Sequence, residues 1–427
     1  MSDSISIPVS AATPALSWSD RVCRAFVLDA FGQMTKGSLR LSLPDGSEKR
    51  IGTPGAGVDA TITVLDPAFF RRCVLFGDIG FAESYIDGQW ETDSIQRVIA
   101  WAILNVENSP GSSGSNVRHF ALNLLKGYNR VWHLLRPNSV DTCRRNIAEH
   151  YDLGNEFYSL WLDPTMTYSS ARFTEPGQTL ESAQEAKYEA LCRKLRLRKE
   201  DHVLEIGCGW GGFSVHAAKR YGCRITGITI SKEQHTYATE RMKREGVADL
   251  VEIRLQDYRH TTGQFDKIAS IEMMEALGDR YLETYFACIH RLLKPDGMVA
   301  LQYITVPDAR HAELRQGVDF IQKHIFPGSL LLSVGRVNEA INRTGDLFMH
   351  ELEDLGASYA RTLALWWEQF NARLAEVRQQ GFDTRFIRKW NYYLQYCEAA
   401  FAMRNISVVQ AAYTRPNNQS LHQTFHA

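Results

Sequence analysis

The stretch Val203-Leu204-Glu205-Ile206-Gly207-Cys208-Gly209-Trp210-Gly211-Gly212 constrains this chain more than any other, because an apolar run ends in an acid and then in closely spaced glycines. The pattern predicts a buried parallel strand, a tight turn and the start of a helix, so that bare backbone N–H groups gather at a positive helix end. Regular alternation follows it. Val203 to Ile206, Arg224 to Ile230, Val251 to Leu255, Lys267 to Ile271 and Val299 to Ile304 read as strands with helical segments between them, which specifies an α/β fold with a doubly wound, mostly parallel sheet. Ligands of such sheets bind at the carboxyl ends of the strands, and these ends carry Glu205, Thr229, Gln256-Asp257 and Glu272.

Gly207, Gly209 and Gly212 also satisfy the G-x-G-x-x-G spacing of dinucleotide enzymes. A nicotinamide site, however, places an acid at the end of the second strand, roughly 20 residues on, to hold the ribose hydroxyls. Arg224-Ile225-Thr226-Gly227-Ile228-Thr229-Ile230-Ser231 ends without one. The acid is instead Glu205, ahead of the first glycine, in the Glu-x-Gly-x-Gly arrangement typical of S-adenosylmethionine (SAM) enzymes. SAM is therefore the expected cofactor.

A chain of 427 residues with 44% hydrophobic residues is long enough for two or three domains with substantial cores. Its net charge of −1 argues against bulk attraction to nucleic acid. Cysteines 23, 73, 143, 192, 208, 223, 288 and 397 show neither a Cys-x-x-Cys pair nor zinc spacing, as expected of reduced thiols and of a chain without a metal site. No run approaches the ~18 apolar residues of a membrane span, and Met1 to Ser17 lacks the pattern of a signal peptide, so a cytoplasmic location is expected.

Three regions are expected. In residues 1–107, Leu39, Leu41 and Leu43 alternate with polar residues before the turn Pro44-Asp45-Gly46, and Ala60, Ile62 and Val64 alternate again, as in a small α+β domain. Residues 108–145 begin with the linker Asn108-Ser109-Pro110-Gly111-Ser112-Ser113-Gly114-Ser115-Asn116 and continue into an amphipathic helix. From Val117 to Arg145 the basic residues Arg118, Lys126, Arg130, Arg136, Arg144 and Arg145 face only Asp141, a net charge of +5. Such a helix suits an anionic membrane surface, and equally a solvated position between domains. Residues 146–427 form the catalytic domain, in which Thr305 to Arg415, rich in words such as Leu363-Ala364-Leu365-Trp366-Trp367 and Trp390-Asn391-Tyr392-Tyr393, should cap the crevice.

Over nearly its whole length the chain resembles the cyclopropane-fatty-acyl-phospholipid synthase family. The matching words are His150-Tyr151-Asp152-Leu153-Gly154-Asn155, Leu162-Asp163-Pro164-Thr165-Met166-Thr167-Tyr168-Ser169, Ala183-Gln184-Glu185-Ala186-Lys187, the glycine loop, Gly227-Ile228-Thr229-Ile230-Ser231-Lys232-Glu233-Gln234, Leu255-Gln256-Asp257-Tyr258-Arg259 and Ile325-Phe326-Pro327-Gly328. Gly77-Asp78-Ile79-Gly80-Phe81-Ala82-Glu83-Ser84-Tyr85-Ile86-Asp87-Gly88-Gln89-Trp90 resembles the N-terminal lipid-binding domain of the longer members.

The resemblance implies a class I SAM-dependent methyltransferase fold and attack on SAM by the double bond of an unsaturated acyl chain in a phospholipid. Loss of a proton from the added methyl then closes a cyclopropane ring. The implied partner is unsaturated phospholipid in an anionic membrane, met at the inner face, with a homodimer as the assembly to test and no nucleic acid. The cofactor contacts carried over are Tyr168, Ser169, Gly207, Gly209, Thr229, Ile230, Gln234, Gln256 and Ile271, beside Glu205. Ile230 and Ile271 read equally well as sheet core.

Members of the family hold a bicarbonate ion as base, using the backbone of a Cys, a Glu, a His and a Tyr. Here Glu275 and Tyr359 match, whereas Ser170 stands in the Cys word, Ala276 follows Glu275 in place of a His, and Gln302 replaces the second His. A Gln amide donates to an anion much as a His N–H does, but cannot exchange protons near neutral pH. Glu275, Tyr359, Gln302 and Ser170 are thus the expected catalytic set. Relatives with this Ser and Gln pattern resemble bacterial and plant enzymes acting on acyl lipids, including some that leave a methyl or methylene branch, so a lipid C-methyltransferase is the first alternative. A small-molecule N-methyltransferase and a non-catalytic lipid- or SAM-binding protein are the others.

Overall fold

In a computed structural model, the structure describes residues 17–105, 153–315 and 319–421. They form two compact units, residues 17–105 and the described residues from 153 onward. The expected linker and basic helix at 108–145 lie outside the described residues.

In the first unit, the helix Trp18–Gly32 opens with the Ser17 side chain accepting from the Asp20 backbone N–H, a normal N-cap. Four strands follow: β1 (Ser38–Ser42), β2 (Glu48–Gly52), β3 (Asp59–Val64) and β4 (Trp90–Glu91). They pair in the order β2-β1-β3-β4, with β1 and β3 parallel and the outer pairs antiparallel. The alternation expected from sequence is the alternation found, since Leu39, Leu41, Leu43, Ala60, Ile62 and Val64 are all buried. The word around Trp90 is packing: its indole Nε1 donates to Ser84 Oγ at 3.0 Å and its ring lies 4.5 Å from that of Phe81.

The second unit is built on one seven-stranded sheet. Its strands are β5 (His202–Ile206), β6 (Arg224–Thr229), β7 (Val251–Leu255), β8 (Phe265–Ile271), β9 (Leu293–Thr305), β10 (Phe348–Asp354) and β11 (Ser407–Thr414), in the order β10-β11-β9-β8-β5-β6-β7. The five from β5 to β9 are parallel where they pair, and β11 and β10 add antiparallel at one side. Alternate residues feed two cores. Leu204, Ile268 and Val299 pack with the helices Leu282–Leu292 and Val334–Thr344, while Val203, Ala269 and Ala300 pack with Leu180–Lys194 and Gly212–Tyr221.

The region after Thr305 differs from the expected cap in containing two sheet strands as well as helices. Residues 407–414, Ser-Val-Val-Gln-Ala-Ala-Tyr-Thr, are almost wholly buried, and pairing them with β9 satisfies backbone groups that would otherwise be unpaired there. The helices Gly356–Ala372 and Thr384–Ala402 are joined by Asn371 Nδ2 donating to Asn391 Oδ1 at 2.7 Å and by Tyr359 on Phe401, 4.4 Å between ring centroids. Strand order reverses between β5 and β8, the switch point where an open α/β sheet leaves a crevice. Among the described residues no helix is long and apolar enough to cross a membrane.

Candidate active site

The glycine loop leaves β5 at Ile206 and delivers the chain to the helix Gly212–Tyr221. Gly207 has φ +81° and a Cβ there would come within 2.8 Å of Met273 Cγ, so the protein's own packing requires glycine. Gly209 is different. Its φ is +52° and an added Cβ would meet nothing within 4 Å, so the loop faces open space at that point. Glu205 is buried and accepts from the Ser214 hydroxyl, which ties the end of β5 to the helix behind the loop. Burial pushes its carboxyl up to about 7 against the opposing pull of Ser214 and Lys187.

Thr229 ends β6 with its hydroxyl donating to Gln234 Oε1 at 2.9 Å, and it accepts from the Ser231 N–H at 3.2 Å. Ile230 is half-buried. Gln256 follows β7, donates from its backbone to Thr229 O at 2.9 Å and from its amide to Thr261 Oγ1 at 3.2 Å. Ile271 packs on the sheet core at the end of β8. Tyr168 and Ser169 reach the same region from another segment. Ser169 accepts from the buried Lys187 Nζ at 2.7 Å, and Tyr168 is 2.7 Å, oxygen to oxygen, from Tyr393. Lys187 has no solvent exposure, and desolvation pulls its ammonium down to about 7 although the charges of Glu272, Asp163 and Glu205 oppose this.

An aromatic wall connects the loop to the helices beyond Thr305. Tyr158 lies 5.3 Å from Trp210 of the glycine loop and 5.4 Å from Tyr168, centroid to centroid, and Tyr168 in turn lies 5.3 Å from Trp366. Such faces attract a cation. A sulfonium cofactor fits this crevice: Gly209 leaves room for it, the helix start presents N–H groups, and the rings suit its charge.

Three of the four expected catalytic residues, Ser170, Gln302 and Tyr359, meet a further acid, Glu272. Its Oε1 accepts from the Ser170 backbone N–H at 2.8 Å and from Gln302 Nε2 at 2.7 Å, and its Oε2 accepts from the Tyr359 hydroxyl at 2.8 Å. Gln302 is buried on β9 opposite Gln410 of β11, whose Nε2 donates to Gln302 Oε1 at 3.0 Å and so turns the Gln302 amino group toward Glu272. The Ser170 hydroxyl donates to Ala171 O at 2.9 Å, leaving its backbone to face the carboxylate. Glu272 has φ +47°, a left-handed conformation costing a non-glycine residue about 1 kcal/mol, of the kind that collects at functional sites.

Glu275 stands outside this ring of donors. Its Oε1 accepts from the Ile304 N–H at 2.6 Å, its backbone carbonyl accepts from Leu330 N–H at 2.9 Å, and its buried Oε2 has no hydrogen-bond partner among the described residues. Burial, then the charge of Glu272, pushes its carboxyl up to about 8. In the unfolded chain the same group titrates near ~4.3, so the stability associated with its neutral form is full below that pH and is lost as pH rises through about 8. Glu275→Gln should therefore flatten the fall in Tm between about pH 5 and 8, and identical slopes for the two proteins would refute this.

In the sequence Glu272 stands among the strand ends with no role assigned to it. The signal was available in the register: Ile271 pairs with Gln302 across β8 and β9, so an acid one residue further on lies beside the Gln that departs from the family pattern.

The family model for mycolic acid cyclopropane synthetase matches residues 138–411. A cyclopropane-fatty-acyl-phospholipid synthase of Escherichia coli (strain K12) is 36% identical over 385 residues, 88% of this chain and 95% of that protein. The tuberculostearic acid methyltransferase UfaA1 of Mycobacterium tuberculosis is 37% identical over 380 residues, 87% of this chain and 86% of that protein. Among solved structures, mycolic acid cyclopropane synthase CmaA1 complexed with SAH and CTAB superposes with a TM-score of 0.59 at 29% identity, over 64% of this chain and 98% of that one. With the glycine loop, the switch-point crevice and these relatives in agreement, the chain belongs to the mycolic acid cyclopropane synthetase family of SAM-dependent methyltransferases.

Proposed function

We propose that this enzyme adds a one-carbon unit from SAM across the double bond of unsaturated acyl chains in membrane phospholipids and closes it to a cyclopropane. The observation that carries the reading is a carboxylate held by three donors beside the glycine loop, next to a wall of aromatic rings. SAM supplies an electrophilic methyl group to the alkene, which leaves a cation on the neighbouring carbon of the acyl chain. The protein must then keep water from that cation and remove one proton from the new methyl. Tyr158, Trp161, Tyr168 and Trp366, packed ring to ring, offer apolar walls and π-faces for the first task.

A methyl or methylene branch is the second reading. It is favoured by Gln302 in place of a proton-exchanging His, and it is consistent with the similarity to a tuberculostearic acid methyltransferase, at 37% identity beside 36% for a cyclopropane synthase. Mass spectrometry of phospholipid acyl chains from an expressing bacterial host separates the two. A gain of one CH2 in a product that resists hydrogenation supports the ring, while a hydrogenation-sensitive product supports a methylene branch.

The membrane is proposed to be the anionic inner face, reached from the cytoplasm. The +5 segment from Val117 to Arg145 supports this, as do the exposed Trp18, Leu65, Leu75 and Phe76 of the first unit. Replacing Arg118, Lys126 and Arg130 with Gln should weaken binding to anionic vesicles by about 1 kcal/mol per charge at low salt. Equal sedimentation of both proteins with vesicles would exclude this segment from the contact.

A further inference from the structure

The resemblance calls for a bicarbonate ion between the residue-170 backbone, residue 302 and Tyr359. Those donors are already used. The Ser170 N–H, the Gln302 amide and the Tyr359 hydroxyl all point at the carboxylate of Glu272, at 2.7 to 2.8 Å. A carboxylate and a bicarbonate present the same planar pair of anionic oxygens, and two anions sharing one set of donors in a dry site repel strongly. The residues present therefore do not fit a separate bicarbonate.

We infer that Glu272 is itself the base of the reaction, a built-in carboxylate standing where other members of the family hold an exogenous anion. The inference rests on the acyl-chain reading above and names the group that completes it. Three further observations support the geometry. Glu272 accepts three hydrogen bonds, whereas a carboxylate offers roughly four lone-pair sites, so one remains on Oε2 beside the Tyr359 bond. Gln410 fixes the direction of the Gln302 amide, which suits a carboxylate acceptor that never leaves and needs no proton from residue 302. The left-handed backbone at Glu272 is a conformation natural to glycine, and the strain is explained if the side chain is required at that point. Desolvation also raises the Glu272 carboxyl above the ordinary range, which strengthens it as a base, while its three donors and the Lys187 charge oppose the rise and keep the anion accessible.

The step balances. After the alkene electron pair has formed the new C–CH3 bond and the methyl's bond to sulfur has broken, Glu272 takes one proton from the added methyl. The electron pair of that C–H bond forms the third ring bond to the cationic carbon. Glu272 is left as the neutral acid and returns its proton to water when the product leaves.

The test uses the full chain with SAM and vesicles of monounsaturated phosphatidylglycerol, in buffer freed of carbon dioxide and then with added bicarbonate. Wild-type turnover should not respond to bicarbonate. Glu272→Gly, which suits the local backbone and vacates the place, should lose ~10²-fold or more and recover at least about tenfold with millimolar bicarbonate. Glu272→Gln should be equally slow under both conditions, because its amide fills the place and takes no proton. SAM affinity by calorimetry should stay within about threefold in all three proteins, which separates loss of the base from loss of the fold. Wild-type turnover that rises with bicarbonate, or Glu272→Gln at the wild-type rate, overturns the inference. A wild-type enzyme inactive on every unsaturated vesicle overturns the acyl-chain reading instead.

Discussion

A Gly209→Val variant should fold and yet bind SAM at least ~10²-fold more weakly, a loss of about 2.8 kcal/mol. An added Cβ at this position meets nothing in the protein within 4 Å, so the valine methyls are free to occupy the space where the cofactor is expected to lie. The cost to the fold is the φ of +52°, roughly 1–2 kcal/mol for a side chain in the left-handed region. Gly207 is a poorer probe, because a Cβ there would come within 2.8 Å of Met273 Cγ and would perturb packing and binding together. Calorimetric titration with SAM, beside a melting curve, reads the two effects separately. Unchanged affinity in a folded variant would remove the loop from the cofactor site.

Tyr359→Phe should move the acidic limb of the pH dependence of kcat upward by about 1–2 units and lower turnover below that limb by roughly tenfold to a hundredfold. The Tyr359 hydroxyl, kept protonated by burial and by the charge of Glu272, donates to Glu272 Oε2 at 2.8 Å. A hydrogen bond to a charged group is worth about 1.5–3 kcal/mol, and each pKa unit corresponds to about 1.36 kcal/mol. Removing the donor favours the protonated acid, which cannot act as a base, so activity appears only at higher pH. Gln302→Leu should shift the limb in the same direction. It also leaves the Gln410 amide without its Gln302 partner, at a further stability cost of about 1–3 kcal/mol. A purely structural role for Tyr359 would lower activity at every pH without moving the limb, and that profile would count against Glu272 as the base.

Much of the architecture was legible because it depends on local periodicity. Leu39, Leu41 and Leu43 must share one face of a strand whatever surrounds them, and the alternation of Val203 with Leu204 feeds one core on each side of the sheet. The antiparallel β10 and β11 were less visible. Val408 to Tyr413 form a short buried run, apolar except for Gln410, and periodicity alone does not distinguish such a strand from a buried helix segment.

The sequence by itself determined the α/β fold, the glycine loop and the family, since each rests on residues adjacent in the chain or on words that match as words. The composition of the base site was decided by tertiary structure. Glu272 meets Gln302, Tyr359 and Ser170 across separations of 30, 87 and 102 residues. No local pattern encodes a ring of donors drawn from a strand, a helix and a loop. Glu272 and Glu275 are three residues apart and both acidic, and the family resemblance pointed to Glu275 alone. Tertiary packing separates them: one carboxylate receives three side-chain and backbone donors, while the other receives a single backbone N–H and is pushed toward its neutral form by burial.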